Sequence, residues 1–564
     1  MIKDIINRLE IEELINLLPG WQRPYFLSEL NSLNIYHLRE FLLDSLKELI
    51  NDKEFLINII ECLSSKEFIY LLNYTDLNEY TFSKRKLKQD ITLNKINVYK
   101  IKKIKSLLLG NFESQSNMYE GSNLISNVSP VASRFFELLD YQMFIKEKIL
   151  SILDSGYLLP RLLVHMPTGT GKTKTTMHTI TQYYMDVLRN DGLILWVAHT
   201  NILLEQAIST LENVWNHLGN KQVEIHRIYG GNTIDYSRLD STVKGIVFCN
   251  ISSLINLSKK NSDDFQSLVK VVNLIVFDEA HKVLASETRQ VINMLMIKKD
   301  NYSNKALIGL TATPGRNIFS DEENERLAEF FEKRILQINI EIVEQFSKSD
   351  ITYLNQGERD RKIIKYFQER KILSKLKREV IDYNFTEKFY EDLKGKIKRN
   401  KSDDYANDVI QIYSKNIERN KVIINRLIQL YDEKIPTIFF ACSVEHGKLI
   451  ASVLKSRGIS VSQVYSDTSV QEREKDINNF KKGNTNILIN VSVLSTGFDS
   501  TNIKCVFIAR PTKSIVLYSQ MIGRGLRGKR MGGNEECLLI DMKDNLERFT
   551  DESDAFSYFE EYWR

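Results

Sequence analysis

The chain reads Met-Pro-Thr-Gly-Thr-Gly-Lys-Thr from Met166 to Thr173. A short apolar run, residues 162–165, precedes this stretch, and residues 174–180 follow it without a helix breaker. A strand, a glycine-bearing loop and a helix that opens on Gly-Lys-Thr are typical of a phosphate-binding loop. Backbone N–H groups and the positive end of the helix dipole then face the phosphates. The stretch therefore predicts a parallel-sheet domain with an ATP site.

Each residue of this loop has its own predicted role. Lys172 reaches the β- and γ-phosphates, and the hydroxyl of Thr173 binds Mg²⁺. The usual eight-residue pattern begins with Gly or Ala, whereas this chain has Met166 there. That first position supports the turn more than it contacts phosphate. The loop backbone surrounds the phosphates at Thr168, Gly169, Thr170 and Gly171.

Length and composition limit the number of domains and the kinds of partner that the chain can have. A chain of 564 residues is expected to form three or four domains. No run of 18 apolar residues appears, so no membrane span is expected, and the first residues lack a signal-peptide core. The formal net charge is only +4, so any nucleic-acid surface must be local.

The cysteines argue against a zinc site. Five cysteines are scattered along the chain, and none forms a Cys-x-x-Cys pair. Four of them lie in apolar runs and are predicted to be small core residues in a reducing compartment. A cytoplasmic protein is therefore expected.

Residues 135–313 have the rhythm of an α/β domain. Continuous apolar runs at 193–198, 245–249, 274–277 and 306–310 alternate with helical stretches, which favours a parallel sheet covered on both faces. Polar clusters follow three of these runs, at 198–201, 278–281 and 311–314. They are expected at the carboxyl edge of the sheet, where ligands bind in such folds.

The pair Asp278 and Glu279 ends a buried strand. Two adjacent carboxylates there are costly unless something positive binds them. A helix cap would explain one acid but not both. We therefore expect Asp278 to contact Mg²⁺ through water and Glu279 to activate the attacking water.

A second α/β unit begins near Pro436 and has no phosphate loop of its own. Its strand-like runs are 437–441, 461–464, 487–491, 505–509 and 538–540. It carries Gln-Met-Ile-Gly-Arg-Gly-Leu-Arg from Gln520 to Arg527. Two arginines three residues apart lie on one face of a helix and can meet the same phosphate. Arg524 and Arg527 are therefore predicted to be arginine fingers that act on the γ-phosphoryl group.

Together these motifs resemble those of superfamily-two helicases of the DEAH-box type. Within that superfamily the chain looks closest to RadD-like helicases and to the motor subunits of type I restriction enzymes. The residues that carry this likeness are 196–200, 509–514, 520–527 and 539–541. The carboxyl-terminal zinc module of RadD-like proteins and the amino-terminal nuclease of restriction motors are not visible. A stand-alone restriction activity is therefore in doubt.

The resemblance implies further roles. Gln142 would read adenine, and Gln520 would act with the two arginines in catalysis. His281, Thr311 and Thr313 would couple ATP hydrolysis to movement. Gly497 and Asp499 would contact the nucleotide. Residues that would contact the nucleic-acid strand are Thr200, Thr496 and Thr512.

The resemblance also implies an α/β architecture with two tandem RecA-like parallel-sheet domains. Apolar residues at helical spacing predict an all-helical N-terminal domain over 1–110, and a Ser- and Asn-rich linker follows over 111–130. The first RecA-like domain is expected at 131–335 and the second at 431–564. The charged stretch 336–430 is predicted to be a helical insertion or connection between the two motor domains.

The stretch 84–105 contains nine basic residues and one acidic residue, Asp90. Such a run is commonly a solvated helix face. The alternative is a strip that holds nucleic-acid phosphates.

Three functions remain open. The first is an ATP-driven translocase or helicase on single-stranded or duplex DNA, which the resemblance connects with bacterial DNA repair or anti-phage defence. The second is an ATP-gated DNA sensor or clamp whose N-terminal domain docks a protein partner. The third is an RNA helicase. The DEAH form and the Gln520-Met521-Ile522 sequence favour DNA over RNA.

Overall fold

The chain forms an N-terminal helical region followed by two α/β units. The computed structural model describes residues 1–27, 34–81, 83–109, 125–130, 136–154, 160–234, 236, 243–260, 262–297, 305–315, 321–338, 356–383, 404–466, 468–491 and 502–543. Within these ranges, no helix is both long enough and apolar enough to cross a membrane.

The N-terminal region is helical, as predicted, because apolar residues recur at three- and four-residue spacing and polar residues cap the helices. Asp52 accepts hydrogen bonds from the first turn of one helix, and Ser64 and Glu67 form a capping box on the next. The helices are α1 Ile2–Arg8, α2 Ile11–Leu17, α3 Arg23–Leu27, α4 Ile35–Asp44, α5 Leu46–Leu49, α6 Lys53–Cys62, α7 Ser65–Thr75, α8 Lys84–Thr92 and α9 Val98–Leu109.

The first α/β unit is built on a sheet of eight strands in the order β1-β4-β5-β3-β6-β7-β2-β8. Every strand pair is parallel except β1 with β4. The strands are β1 Ile125–Val128, β2 Arg161–His165, β3 Leu193–Ala198, β4 Val223–Ile228, β5 Gly245–Asn250, β6 Val272–Asp278, β7 Ala306–Thr311 and β8 Ile335–Gln337. The four apolar runs predicted as strands in this unit are confirmed, because side chains buried on both faces leave uninterrupted hydrophobic sequence.

Helices cover both faces of this sheet, and a separate apolar core lies on each side. They are α10 Asp140–Asp154, α11 Lys172–Gln182, α12 Asn201–Leu218, α13 Ile251–Lys260, α14 Ser262–Val271, α15 Ser286–Leu295 and α16 Asp321–Phe330.

The second unit is built on a sheet of six strands in the order β11-β12-β10-β13-β14-β9, all parallel. The strands are β9 Lys375–Ile381, β10 Thr437–Phe440, β11 Val461–Val464, β12 Ile487–Asn490, β13 Cys505–Ile508 and β14 Glu536–Met542. Helix α17, Gln356–Glu369, contributes apolar residues to the core of the first unit. The helices of the second unit are α18 Asn407–Ser414, α19 Ile417–Asp432, α20 Val444–Ser456, α21 Val470–Lys481 and α22 Ile515–Ile522. Two parallel-sheet units in tandem confirm the predicted fold class.

Two boundaries differ from the prediction. Part of the predicted linker, Ile125–Val128, is the edge strand β1, and residues 111–124 lie outside the described residues. Part of the predicted helical insertion, Lys375–Ile381, is strand β9 and pairs along its length with β14. Both are edge strands with few buried residues, so their sequences lack the apolar run that identifies central strands.

The N-terminal region packs on the second unit and shares its hydrophobic core. Helix α4 lies against α20, and α3 lies against α19. The buried amide of Asn420 donates to the hydroxyl of Tyr25 at 3.1 Å. The Oδ1 atom of Asn420 in turn lies 3.0 Å from Nε2 of His446. The helical region is therefore attached to one α/β unit by apolar packing and by a buried polar network.

Candidate active site

The loop after β2 has the geometry of an anion-binding turn. Gly169 and Gly171 both have φ of +86°, a left-handed conformation that residues with a side chain rarely adopt. Helix α11 begins at Lys172, so the N–H groups of its first turn have no partner within the helix and face the space enclosed by the loop. The Nζ atom of Lys172 donates to the carbonyl of Met166 at 3.0 Å, which keeps the amino group over the loop. The local sequence therefore builds a cradle for phosphate.

Two neighbouring side chains support this loop from behind. The carbonyl of Thr170 accepts hydrogen bonds from the Tyr141 hydroxyl at 2.7 Å and from Nε2 of Gln142 at 2.9 Å. The Oε1 atom of Gln142 accepts from the backbone N–H of Leu139 at 2.9 Å. Gln142 is fully buried, and its amide holds the loop backbone. Its contact with adenine stays a prediction.

Asp278 and Glu279 lie at the carboxyl end of β6. Asp278 ends the strand, and Glu279 follows it with φ of +55°, a strained conformation for a residue with a side chain. Burial and the neighbouring Glu279 raise the pKa of Asp278 to about 7, while Lys172 opposes the shift. Burial also works against ionisation of Glu279, yet His281, Lys172, Lys282 and Arg524 hold its pKa below the ordinary value. The environment thus separates the pKa values of the two carboxyls, and Glu279 is the more acidic.

The residues predicted to couple hydrolysis to movement lie together. The Nδ1 atom of His281 is 3.4 Å from Oε2 of Glu279 and 3.3 Å from the hydroxyl of Thr311. That hydroxyl donates to the carbonyl of Thr313 at 2.6 Å. A change at Glu279 can therefore reach the loop after β7 through two hydrogen-bonding side chains.

The second unit brings Gln520, Arg524 and Arg527 to the same cleft. The Nε2 atom of Gln520, on α22, donates to Oε2 of Glu279 at 3.4 Å. Arg524 is near enough to Glu279 and Lys172 to affect the pKa of each. Burial lowers the pKa of Arg524 to about 10, with Glu279 opposing, so the guanidinium stays charged at neutral pH.

The helical placement of the two arginines is wrong. Helix α22 ends at Ile522, and the glycines at 523, 525 and 528 allow neighbouring groups to approach the following turn, because a Cβ atom at each would lie 2.4 Å or less from another atom. Arg524 and Arg527 lie in this turn and not on one helix face. Arg527 forms a bridge with Leu373, and the Ser374 hydroxyl donates to the carbonyl of Arg527 at 2.6 Å.

The turn lies directly on the phosphate loop. A Cβ atom added to Gly523 would be 2.4 Å from Cγ2 of Thr168. One added to Gly169 would be 3.5 Å from Cγ of Arg527, and one added to Gly171 would be 3.4 Å from Cε of Met531. The two units therefore meet at backbone distance around the loop.

The predicted strand-contacting residues have different environments. Thr200 caps α12, where its hydroxyl accepts from the N–H of Leu203 at 3.4 Å. Thr512 is almost fully buried, and its hydroxyl donates to Oδ1 of Asp404 at 2.9 Å. Its contact with the strand stays a prediction. Thr496, Gly497 and Asp499 lie outside the described residues.

Several lysines of the basic stretch 84–105 contact groups of their own domain. Lys84 and Lys100 donate to backbone carbonyls at the ends of α6 and α7. Lys103 pairs with Asp76 at 3.1 Å, and Lys88 pairs with Glu61. These contacts favour a structural role for the stretch over a phosphate strip.

Sequence reasoning missed the residues that connect the loop to its surroundings. Tyr141 supports Thr170, and no motif marks it except its place beside Gln142. His165 lies fully buried at the end of β2, and its Nε2 atom is 3.1 Å from the carbonyl of Ala312. Burial lowers the pKa of His165 to about 4, so the ring is neutral. The signal in the sequence was that His165 is a polar residue at the end of an apolar run.

Comparison with known proteins gives matches along both α/β units. Residues 135–316 match "Type III restriction enzyme, res subunit", and residues 419–529 match "Helicase conserved C-terminal domain". The Saccharomyces cerevisiae protein "Putative ATP-dependent helicase IRC3" is 26% identical over 412 residues, which are 72% of this chain and 51% of the yeast protein.

A second relative is the Escherichia coli "Type I restriction enzyme EcoAI endonuclease subunit". It is 25% identical over 436 residues, which are 73% of this chain and 47% of that subunit. The chain thus spans about half the length of these two curated relatives. A solved structure, "DEAD-box helicase Mss116 bound to ssRNA and UDP-BeF", has a TM-score of 0.47 and 18% identity, covering 76% of this chain and 78% of that one.

Proposed function

Because the chain belongs to the superfamily-two helicases, we propose that it hydrolyses ATP and couples this turnover to movement along DNA. The observation that carries the proposal is the contact between the two units at the phosphate loop. Gln520 of the second unit donates to Glu279 of the first, and Gly523 lies against Thr168. A nucleotide site completed by a second unit makes closure depend on the nucleotide.

The loop residues would bind the phosphates of ATP. Backbone N–H groups of residues 168–171 and the ammonium of Lys172 supply positive charge, and Arg524 and Arg527 supply more from the second unit. Glu279 is the expected base, since its lowered pKa leaves it ionised and able to accept a proton from water.

The pair Thr173 and Asp278 fits a magnesium ion. A buried carboxyl whose pKa is raised to about 7 is stabilised in its ionised form when a cation is placed beside it. Both side chains are oxygen donors, as Mg²⁺ requires, and nucleotide phosphates and water complete such sites. When bound, the ion would neutralise charge on the phosphates.

Movement would follow from alternating closure of the two units on a strand. Thr200 belongs to the first unit and Thr512 to the second, and Thr496 follows β12 in the sequence. A strand held at both would be moved when hydrolysis reopens the cleft. Contacts with the backbone make such binding salt-dependent and weakly selective for sequence.

DNA is favoured over RNA by the residues at 520–522, since Gln-Met-Ile stands where RNA-acting DEAD-box proteins commonly carry a His-Arg-Ile type of sequence. The relatives include both a restriction subunit and RNA helicases.

A second candidate function is an ATP-gated clamp on DNA that acts through a protein partner. The observation that favours it is the hydrophobic core that the N-terminal region shares with the second unit. That region also exposes large side chains at Tyr36, Tyr70, Tyr74 and Tyr99. Exposed tyrosines are common at protein interfaces.

The deciding experiment measures ATP turnover with single-stranded DNA, duplex DNA and RNA, together with displacement of a labelled strand. A motor on DNA gives DNA-stimulated turnover and directional displacement, both abolished by Lys172→Ala. Stimulation without displacement would favour the clamp, and stimulation by RNA alone would exclude the DNA motor. Turnover that no nucleic acid stimulates would contradict both candidates.

A further inference from the structure

The carboxylate of Asp404 accepts three hydrogen bonds from the loop that follows β13. Its Oδ1 atom accepts from the Thr512 hydroxyl at 2.9 Å and from the backbone N–H of Lys513 at 2.9 Å. Its Oδ2 atom accepts from Nη2 of Arg510 at 3.2 Å. The three donors come from four consecutive residues and converge on one anion. The loop therefore forms a built anion site, filled by a side chain from about a hundred residues upstream.

The donors lie where a helix also favours negative charge. Ser514 caps α22, and its own N–H donates to the Thr512 hydroxyl oxygen at 3.0 Å. The carboxylate thus lies beside the N-terminus of α22, where the helix dipole stabilises an anion. The same helix carries Gln520, which reaches Glu279 at the ATP site.

The chain that follows Asp404 covers the loop through aromatic rings and cations. The Nζ atom of Lys513 lies 4.8 Å from the ring centre of Tyr405. The ring of Tyr405 lies 6.3 Å from that of Tyr413, and the guanidinium of Arg419 lies 5.4 Å from the Tyr413 ring. Arg419 in turn donates to the carbonyl of Ala509 at 2.6 Å. Residues 404–414 therefore form a cover over 509–513, which we call the 404–414 cover.

A guanidinium, a hydroxyl, a backbone N–H and a nearby ammonium are the groups that proteins use to bind nucleic-acid phosphates. A carboxylate and a phosphate oxygen pair present the same acceptors to such donors. We propose that the Asp404 carboxylate occupies a binding site for a backbone phosphate of the nucleic-acid strand and competes with that phosphate for Arg510, Thr512 and Lys513. The inference rests on the proposed function, because it assigns regulation to the strand path.

Two consequences follow from this competition. The strand binds the second unit after the Asp404 carboxylate leaves its donors, so the apparent affinity is reduced by the fraction of molecules in which the site is filled. Exchange of the carboxylate for phosphate occurs at the start of α22, so strand binding acts on the helix that positions Gln520. When no strand is bound, the 404–414 cover keeps Asp404 at the start of α22. The cover therefore connects the absence of a strand with the position of Gln520 at the ATP site.

The test compares binding of a labelled homothymidine oligonucleotide to full-length variants by fluorescence anisotropy. Asp404→Asn removes the competing charge at constant shape and should tighten binding about tenfold, as expected when a state filled about nine times in ten is removed. Glu418→Gln is the matched control, since it removes one negative charge from an exposed residue of the next helix, α19, that pairs with Lys421. It should leave affinity unchanged.

Arg510→Gln should weaken binding of the same oligonucleotide by about tenfold or more, because it removes a charged donor to phosphate. Unchanged or weaker binding by folded Asp404→Asn would overturn the competition. Unchanged binding by Arg510→Gln would overturn the phosphate site itself.

A second measurement needs no variant. Saturating oligonucleotide should speed hydrogen exchange at the backbone amides of 405–414 in the parent protein, since the cover must lift. Equal or slower exchange there would count against the inference even if Asp404→Asn did not fold. If the parent protein bound neither DNA nor RNA, the proposed function would fail first, and that result is distinct from normal binding with an unresponsive cover.

Discussion

Glu279 combines an unusual backbone with an unusual charge environment. Its φ of +55° turns the side chain out of β6 towards the second unit, where Gln520 donates to it. Strained backbone of this kind persists where the surrounding structure requires it, commonly at functional sites. Nearby cations keep the carboxyl ionised although burial opposes this.

Glu279→Gln should retain nucleotide binding and lower ATP turnover at least ~100-fold, the scale for loss of a general base. The amide keeps the size of the side chain but cannot accept the proton. Steady-state turnover and binding of a fluorescent nucleotide would be measured together. Glu287→Gln, an exposed acid of α15 that pairs with Lys259, is the control and should be unaffected. Turnover near the parent rate would remove Glu279 from the proposed role.

Ionised Asp278 is expected to lower the stability of the folded protein. Its pKa in the folded protein, about 7, is above the ordinary value, so between about pH 4 and pH 7 the folded state holds a proton that the unfolded state has lost. Stability therefore falls as the pH rises through this window. Since each pKa unit is worth about 1.4 kcal/mol, ionised Asp278 costs on the order of 4 kcal/mol in the absence of a cation.

Asp278→Asn should raise the melting temperature of the nucleotide-free protein at pH 8, and the gain should shrink at pH 5. Thermal unfolding at the two pH values measures this, with Asp186→Asn, an exposed carboxylate of the same unit, as control. A gain that is equal at both pH values, or a loss at pH 8, would show that Asp278 is not destabilising when ionised.

Among the elements, α22 and the turn after it join the two units. The helix ends at Ile522, and the turn after it brings Arg527 against Gly169 of the loop. The φ of Gly523, −54°, would suit any residue. Glycine is needed there because its Cα faces Thr168 and leaves no room for a Cβ atom.

Gly523→Ala should keep each unit folded and reduce ATP turnover about tenfold or more, because the new methyl group meets Cγ2 of Thr168 at 2.4 Å and separates the units. Thr168→Ser removes that Cγ2 atom and should restore part of the loss in the double variant. Turnover and melting temperature would be followed for all four proteins. Full activity of Gly523→Ala would show that the units do not close as tightly as observed.

Helices α8 and α9 contain the basic stretch, and their lysines contact neighbouring helices. Lys100 donates to the carbonyl of Asp76, which ends α7 in a left-handed conformation, and Lys103 pairs with its carboxylate. Cations at the C-terminus of a helix stabilise it through the exposed carbonyls.

Lys100→Gln combined with Lys103→Gln should therefore lower the melting temperature by about 1–2 °C and leave the salt dependence of DNA binding unchanged. Lys102→Gln, on the exposed face of α9, is the control for loss of charge. If the salt slope instead fell by about one unit for each lysine removed, the stretch would be a phosphate strip after all.

At the scale of the whole molecule, residues some 350 positions apart lie together at the phosphate loop. The first unit has the phosphate loop, and the second has the arginines. Burial lowers the pKa of Arg527, and its side chain lies against Gly169 of the loop. Within the described residues, neither unit contains both halves of the proposed site.

Arg527→Ala should leave nucleotide affinity within about tenfold and remove most hydrolysis, since an arginine finger is worth about 10³–10⁵ in rate. Lys172→Ala should impair binding as well. The two effects should be strongly non-additive, because residues that act together cannot be removed twice. A double-mutant cycle on DNA-stimulated turnover measures this, and hydrolysis at the parent rate by Arg527→Ala would show that the units do not share a site.

The sequence alone determined the features that depend on local pattern. Buried central strands require continuous apolar runs, so the strands at 193–198, 306–311 and 505–508 were predicted nearly to the residue. The phosphate loop was predicted because two left-handed glycines and a following lysine are a local requirement of its backbone. The tandem α/β fold follows from the repetition of such runs.

Tertiary structure alone decided the features that depend on contacts between distant residues. Strand β9 joins the second sheet by pairing with β14, and the N-terminal helices pack on that unit. Asp404 reaches Thr512 across 108 positions, and the turn at Arg527 rests on the phosphate loop. Hydrophobic periodicity records only which face of an element is buried, and hydrogen-bonding capacity records only that a partner is needed. Which partner each surface and each polar group finds is set by how the whole chain packs, so no local pattern contains it.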